Sequence, residues 1–350
     1  MHRRTFLAAG ATLCAGASVN RLFASPYSNR ATDLVSQSHV IDMLGLLTLN
    51  WDLLDRWHKD PKTFREADAR KLRSSGINVF HPAVAFESAQ AHAITREWFE
   101  KWNRLIAAHP DCFLRIDNYR DLTRARQTGK IGIILGMQDA NHLRDIRDLD
   151  AFYAMGQRLT QLTYNSKNSL GAGCKAAADR GLSQFGEAVV ARMNAIGMAI
   201  DVSHCGEKTT LDAIDASKKP VLITHSNCKS LAPGVPRCKT DEAIIAAARK
   251  GGVIGLTGVR HFVRAKDPVS IEDALDHFDY AVKIAGIEHV GLGSDTDLDG
   301  RGQGADIAGL NHVDRVFDLT EGLIRRRYTD EQILMILGGN FQRALNQIWA

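Results

Sequence analysis

Cysteine is scarce in this chain, six in 350 residues, and five of the six lie beyond the N-terminal segment: Cys112, Cys174, Cys205, Cys228 and Cys238. An odd number excludes a fully paired disulfide framework, so at least one thiol stays free or binds something. Charge of one sign is also missing. The formal net charge is +4 and includes Arg3, Arg4, Arg21 and Arg30, which leaves the body of the chain near neutral. No basic stripe with interleaved aromatics is present, which argues against a nucleic-acid surface. The apolar run at the N-terminus is too short to span a bilayer, and no membrane span is expected. A serine-nucleophile elbow, G-x-S-x-G, occurs nowhere, so serine hydrolysis at Ser226 beside His225 is rejected. GLGSD has too few glycines for a dinucleotide fingerprint. Repeats and low-complexity stretches are absent.

What is there begins with a targeting pattern. HRRTFLAAGATLCAGASV pairs Arg3 with Arg4, follows with Phe6 and Leu7, and continues into a modestly apolar run of Ala and Gly. This resembles a twin-arginine export signal, with cleavage expected near Ala24, and implies a periplasmic protein. Residues 1–24 are read as the signal and 25–350 as one domain. Apolar content of 45% and charged content of 24% are ordinary for a globular fold.

Beyond the signal, short apolar runs alternate with helix-period segments without a long polar linker. Runs begin at or near Val40, Ile77, Ile131, Arg158, Met198, Pro220, Val253 and His289. IGIILGMQ reads as one continuous, doubly covered parallel strand. Helices are expected to stop at Gly76, Pro110 and Gly197, and the last to start at the cap Thr329. Eight strands alternating with helices predict an α/β TIM (β/α)8 barrel; an open doubly wound sheet is the alternative.

The chain is organised around residues 198–228, MAIDVSHCGEKTTLDAIDASKKPVLITHSNC. It reads as strand, helix, strand, with His204 and His225 at the two strand exits. Adjacent parallel strand ends lie close enough for two imidazoles to share one metal ion. The plainer alternative is a pair of polar residues satisfied at strand ends. In a barrel, chemistry sits at the C-terminal strand ends, where the sequence places Asp42, His81, Gln138, Asp139, Tyr164, Asn165, His204, His225, Asp295 and Asp297. Asp295 is a candidate to bind metal or deprotonate its water, or to cap its own loop. Asp297 reads as a loop residue. Asp201 is a candidate to orient an imidazole, or a structural carboxylate. Arg237, in GVPRCKTDE, is placed to pair with a substrate carboxylate, although an isolated loop arginine is commonly a surface residue. Cys205 and Cys228 are spaced for an extra ligand or simply for packing.

The stretches LTYNSKNSLGAGC, GLSQFGEAVVARMNAIGMAIDVSH, PVLITHSN, VPRCKTDE, HVGLGSDTDLDG and GGNFQRAL together resemble the membrane (renal) dipeptidase family, binuclear zinc hydrolases on a TIM barrel. The resemblance runs from about Ile131 to Ala344. It implies that His204 and His225 ligate one zinc, that Arg237 binds the substrate carboxylate and that Asp295 assists the attacking water.

The departures are as informative. Where the family carries Asp-x-His-x-Asp on its first strand, this chain has Asp42 but Leu44 and Leu46. Where the family has a bridging glutamate on the third strand, this chain has Gln138, and Tyr164 stands where the family has a histidine. A leucine cannot ligate and a neutral amide cannot bridge two dications. The expectation is therefore a hydrolase of a dipeptide or similar small amide, using one divalent metal, Zn2+, at a reduced site. Its ligands would be His204 and His225, with Asp295, Gln138 or Asp139 as further candidates. Asp295 and Tyr164 would be catalytic, and Arg237 and Asn165 would bind a carboxylate-bearing small molecule. Two alternatives stay open: non-peptidase chemistry on a small amine or acid with Tyr164 as proton donor, or an inactive periplasmic binding homologue. A homodimer is compatible with all three.

Overall fold

The computed structural model describes residues 26–266, 268–299, 307, 310 and 313–350. The export signal expected over residues 1–24 lies outside the described residues. Among the described residues ten short strands form one sheet: β1 Ile41–Asp42, β2 Val79–Phe80, β3 Phe113–Arg115, β4 Ile131–Ile133, β5 Leu135–Met137, β6 Gln157–Gln161, β7 Ala199–Asp201, β8 Val221–Ser226, β9 Ile254–Leu256 and β10 Val290–Leu292. Their order is β3-β4-β2-β1-β10-β9-β8-β7-β6-β5, with every pairing parallel. Helices follow the strands and cover the outside, as a TIM barrel requires.

The expected count of eight is met in an unexpected way. The run 131–137 is two strands rather than one: β4 pairs with β2 and β3, while β5 pairs with β6. Ile134 joins them. Its N–H donates to the Phe80 carbonyl at 2.9 Å, and its own carbonyl accepts from His81 Nδ1 at 2.9 Å. A side chain thus occupies the acceptor that a neighbouring strand would use, so the ladder breaks at this residue. The barrel closes through the covalent chain at Ile134. A Cβ added at Gly136 would stand 2.3 Å from His81 Cε1, so only glycine lets the imidazole lie against this stave. Among the described residues the additional strand β3 pairs with β4 alone and lies outside the ring.

Sequence stop signals act where expected. Helix Gln184–Ile196 is capped by Ser183, whose hydroxyl accepts from Gly186 N–H, and ends at Gly197 with φ 71°. The last expected helix starts at Asp330 under a Thr329–Gln332 capping box, passes through a π turn at Met335–Gly339, and continues as Asn340–Trp349. Phe341, Ala344, Leu345 and Ile348 of that helix form one buried cluster with the inward residues Ile41, Val79, Leu159, Ala199 and Leu222. This cluster seals the N-terminal end of the barrel. A second cluster lies between the strands and the outer helices. Among the described residues no helix is long and apolar enough to cross a membrane.

Ring closure carries a buried ion pair. Asp42, at the end of β1, is fully buried and accepts from Ser294 N–H at 2.8 Å, Ser294 Oγ at 2.6 Å and Arg315 at 3.1 Å. It therefore ties the first strand to the loop after the last.

Candidate active site

With one barrel end plugged, the strand exits at the other end line a cavity of about 600 Å3. Gln138, Tyr164, Asn165, His204, Arg237 and Asp295 form its polar floor. The strand-and-exit pattern explains why they meet: β5, β6, β7 and β10 all end at this rim.

His204 and His225 meet through their Nε2 atoms, 3.0 Å apart. The other nitrogen of each ring is taken. His204 Nδ1 lies 3.1 Å from Asn165 Oδ1, an oxygen that can only accept, so Nδ1 carries the proton. His225 Nδ1 lies 2.8 Å from Thr224 Oγ1, and that hydroxyl donates its single hydrogen to Asp201 Oδ2 at 2.7 Å. The hydroxyl must therefore accept from His225. Asp201 also accepts from Ser203 N–H and Thr224 N–H, at 2.9 and 3.1 Å, so it is fixed in turn. Both Nδ1 atoms are protonated, and both Nε2 atoms carry lone pairs that face each other. Burial, together with the Arg237 guanidinium, holds both imidazoles well below the usual histidine range, so neither gains a second proton. Two lone pairs at 3.0 Å repel unless an electron-poor centre lies between them.

This geometry fits one cation seat. Two nitrogens sharing one tetrahedral zinc ion would stand about 3.3–3.4 Å apart, so the two rings would have to part by a few tenths of an ångström to hold it. The rest of a binuclear set does not fit. Leu44 and Leu46 are buried apolar side chains, and Gln138 spends its amide N–H on the Ala83 carbonyl at 2.9 Å. Asp139 does not join the floor; its carboxylate accepts from Asn141 N–H at 3.1 Å and Asn168 Nδ2 at 3.0 Å and organises the loops. Among the described residues, no group of three or more His, Cys, Asp and Glu side chains is placed to hold a metal ion. The thiols do not substitute. All five described cysteines are free, and burial pushes Cys205 up to about 11 and Cys228 higher still, so both stay protonated.

Asp295 borders the cavity with a backbone φ of 54°, a left-handed conformation that aspartate tolerates better than most residues. Its N–H donates to the Leu44 carbonyl at 2.8 Å. Burial pushes its carboxyl up to about 7, Arg237 opposing and Asp42 adding to the shift. Asp297, as expected, serves a loop: Oδ2 accepts from Leu49 N–H at 2.8 Å.

Arg237 is 2% exposed, not a surface residue. Its two terminal nitrogens donate to the Ser203 and His225 carbonyls at 2.5 and 2.6 Å, while Nε has no partner among the described residues. No described carboxylate forms an ion pair with it; the Asp295 carboxyl in the same cavity feels its charge without contacting it. Tyr164 stacks on His204, with ring centroids 4.2 Å apart and planes at 24°. Burial and then Asp295 raise its phenol, which keeps it a proton donor.

Sequence reasoning missed Thr224 and Ser203, which act through backbone register rather than any motif. It also missed the apolar half of the cavity: Leu46, Leu49, Val84, Phe86, Ile94 and Trp98. Most of these come from loops and a helix far apart in the chain. Leu46 alone carried a visible signal, standing where the resemblance places a ligand.

A model of the family described as membrane dipeptidase, peptidase family M19, matches residues 28–350. An uncharacterised dipeptidase of Schizosaccharomyces pombe is 34% identical over 258 residues, covering 71% of this chain and 61% of that protein's length. An amidohydrolase of Pseudomonas aeruginosa superposes with a TM-score of 0.78 at 28% identity, over 91% of this chain and 99% of that one. A metallopeptidase of Rhodobacter sphaeroides, solved with a phosphinate mimic of the dipeptide L-Ala-D-Ala, shares the fold at 20% identity and a TM-score of 0.76, over 89% and 99% of the two chains.

Proposed function

The chain belongs to the membrane dipeptidase family, and from that premise we propose that it hydrolyses a small, carboxylate-bearing amide at the open barrel end, using a single divalent cation, zinc in our reading, held by His204 and His225. The observation that carries this reading is the 3.0 Å approach of two Nε2 lone pairs whose Nδ1 partners fix both tautomers. Such an arrangement is costly for a purely structural pair and natural for ligands oriented through their other nitrogen. His204 and His225 would be the residues that hold the cation. When bound, the cation polarises a carbonyl and acidifies a water.

The chain's own groups do the rest. Asp295, with its carboxyl at about 7, is poised to take a proton from the attacking water near neutral pH and to return it to the leaving nitrogen. Arg237 supplies the buried positive charge that a substrate carboxylate needs for pairing. Tyr164, stacked on His204 and held protonated, donates towards the reacting group. Asn165 holds His204, and the Asp201–Thr224 pair holds His225.

Metal analysis and calorimetric titration of the purified protein with Zn2+ test the reading. One equivalent should bind, and His204→Ala should abolish both the binding and amide hydrolysis. Full activity in metal-free protein, or unchanged activity in His204→Ala, would sink it.

A further inference from the structure

The cavity is built for an uncharged acyl group rather than for the free ammonium of a dipeptide. The cavity's lining is cationic in part: Arg237 is buried without an ion-pair contact to a described carboxylate, and the exposed Lys175 also lines it. The side towards β1 and β2 is apolar. Leu46, Leu49, Val84, Phe86, Ile94 and Trp98 line it there, with Phe86 and Trp98 edge to face at 6.0 Å. Trp51 stands at the mouth with 49% of its surface exposed, one of two large apolar side chains left so exposed among the described residues. An exposed aromatic at the edge of an apolar wall is the pattern of a site awaiting an apolar ligand.

A dipeptide's ammonium needs an anionic partner once it leaves water. The wall offers none. Leu46 is apolar, and Gln138, whose amide nitrogen donates to the Ala83 carbonyl, offers only a neutral carbonyl oxygen and no anion. Of the carboxylates lining the cavity, Glu97 is paired with Lys101 at 2.8 Å, Asp55 lies on the surface, and Asp295 is the proton acceptor of the proposed reaction.

We infer that the substrate class is an N-acylated amino acid, with its carboxylate on Arg237, its amide over the His204–Asp295 floor and an uncharged acyl chain along the Leu46–Trp98 wall. The inference rests on the hydrolase reading above. Water adds to the amide carbonyl and gives its proton to Asp295, the C–N bond breaks, and the nitrogen leaves with that proton. The products are one carboxylic acid and one amino acid.

The test uses full-length protein supplied with one equivalent of Zn2+ and two substrate sets. One is N-acyl-alanines from acetyl to octanoyl, in both enantiomers; the other is the Ala-Ala dipeptides. Turnover and thermal stabilisation are both read. For the octanoyl compound we expect kcat/KM at least 100-fold above that for Ala-Ala, with KM falling about fourfold per added methylene. Trp98→Ala should flatten this chain-length dependence, and so should Trp51→Ser, whose exposed position leaves folding intact. Dipeptides cleaved while N-acyl-alanines are not, or a flat chain-length dependence, overturn the inference and leave the hydrolase reading standing. No turnover of either set, with stabilisation that still grows with acyl length, upholds the ligand class and overturns the hydrolase reading. No turnover and no stabilisation overturn both.

Discussion

Asp295 concentrates the pH behaviour of the site in one carboxyl group. Burial lifts it to about 7, because the closed barrel removes the water that would solvate its charge while Arg237 only partly compensates. A base must be ionised to act, so hydrolysis should rise about tenfold per pH unit below 7 and level off above it. Asp295→Asn should remove this limb and lower the rate by about 10²–10⁴-fold, read from kcat/KM profiles between pH 5 and 9. The same shift has the opposite sign for stability. The folded state keeps a proton that the unfolded chain releases near its ordinary value, so folding free energy declines as pH rises from about 4 to 7, and Asp295→Asn should flatten that decline in denaturant titrations. A metal-dependent rate lacking any limb near 7 in the native protein would assign the proton transfer elsewhere.

At the scale of elements, the broken third stave matters most. A continuous apolar run such as IGIILGMQ is the usual signature of a buried parallel strand, and periodicity alone cannot show a break in it. The break arises because the His81 side chain bonds the Ile134 carbonyl, a contact between residues 53 positions apart. Gly136 makes room for it. Gly136→Ala should place a methyl against the imidazole and the Leu159 carbonyl, at 2.3 and 2.8 Å. The expected cost is about 1–3 kcal/mol, measured by chemical denaturation, because the well-packed barrel interior gives little. Unchanged stability would mean that the ring moves aside freely.

For the whole molecule, closure depends on charge as well as packing. Asp42 and Arg315 are 0% and 1% exposed at their side chains, and they bind the start of the barrel to its end. Removing one member strands the other's charge, so Arg315→Met should cost about 3–5 kcal/mol by equilibrium unfolding. A loss below about 1 kcal/mol would show that Ser294 alone suffices for Asp42. The same residue illustrates how far the sequence was legible. Asp42 was visible as the surviving member of a broken ligand pattern, but its burial beside Arg315 was not, because the two lie 273 positions apart.

Sequence by itself determined the α/β alternation, the stave count, the rim on which chemistry falls and the pairing of His204 with His225, because each follows from short-range periodicity and from the position of a polar residue at a strand exit. It also determined that positions 44, 46 and 138 carry no anionic donor, since leucine and glutamine lack one whatever surrounds them. Only the tertiary structure decided which candidates share the floor: Asp139 serves its own loops, Asp295 and Tyr164 join His204, and Arg237 is buried without an ion-pair contact to a described carboxylate. The tautomers of the two histidines and the apolar wall also belong to the tertiary structure. Both depend on groups from different strands and loops converging in space, and on the low dielectric that convergence creates, which no local pattern encodes.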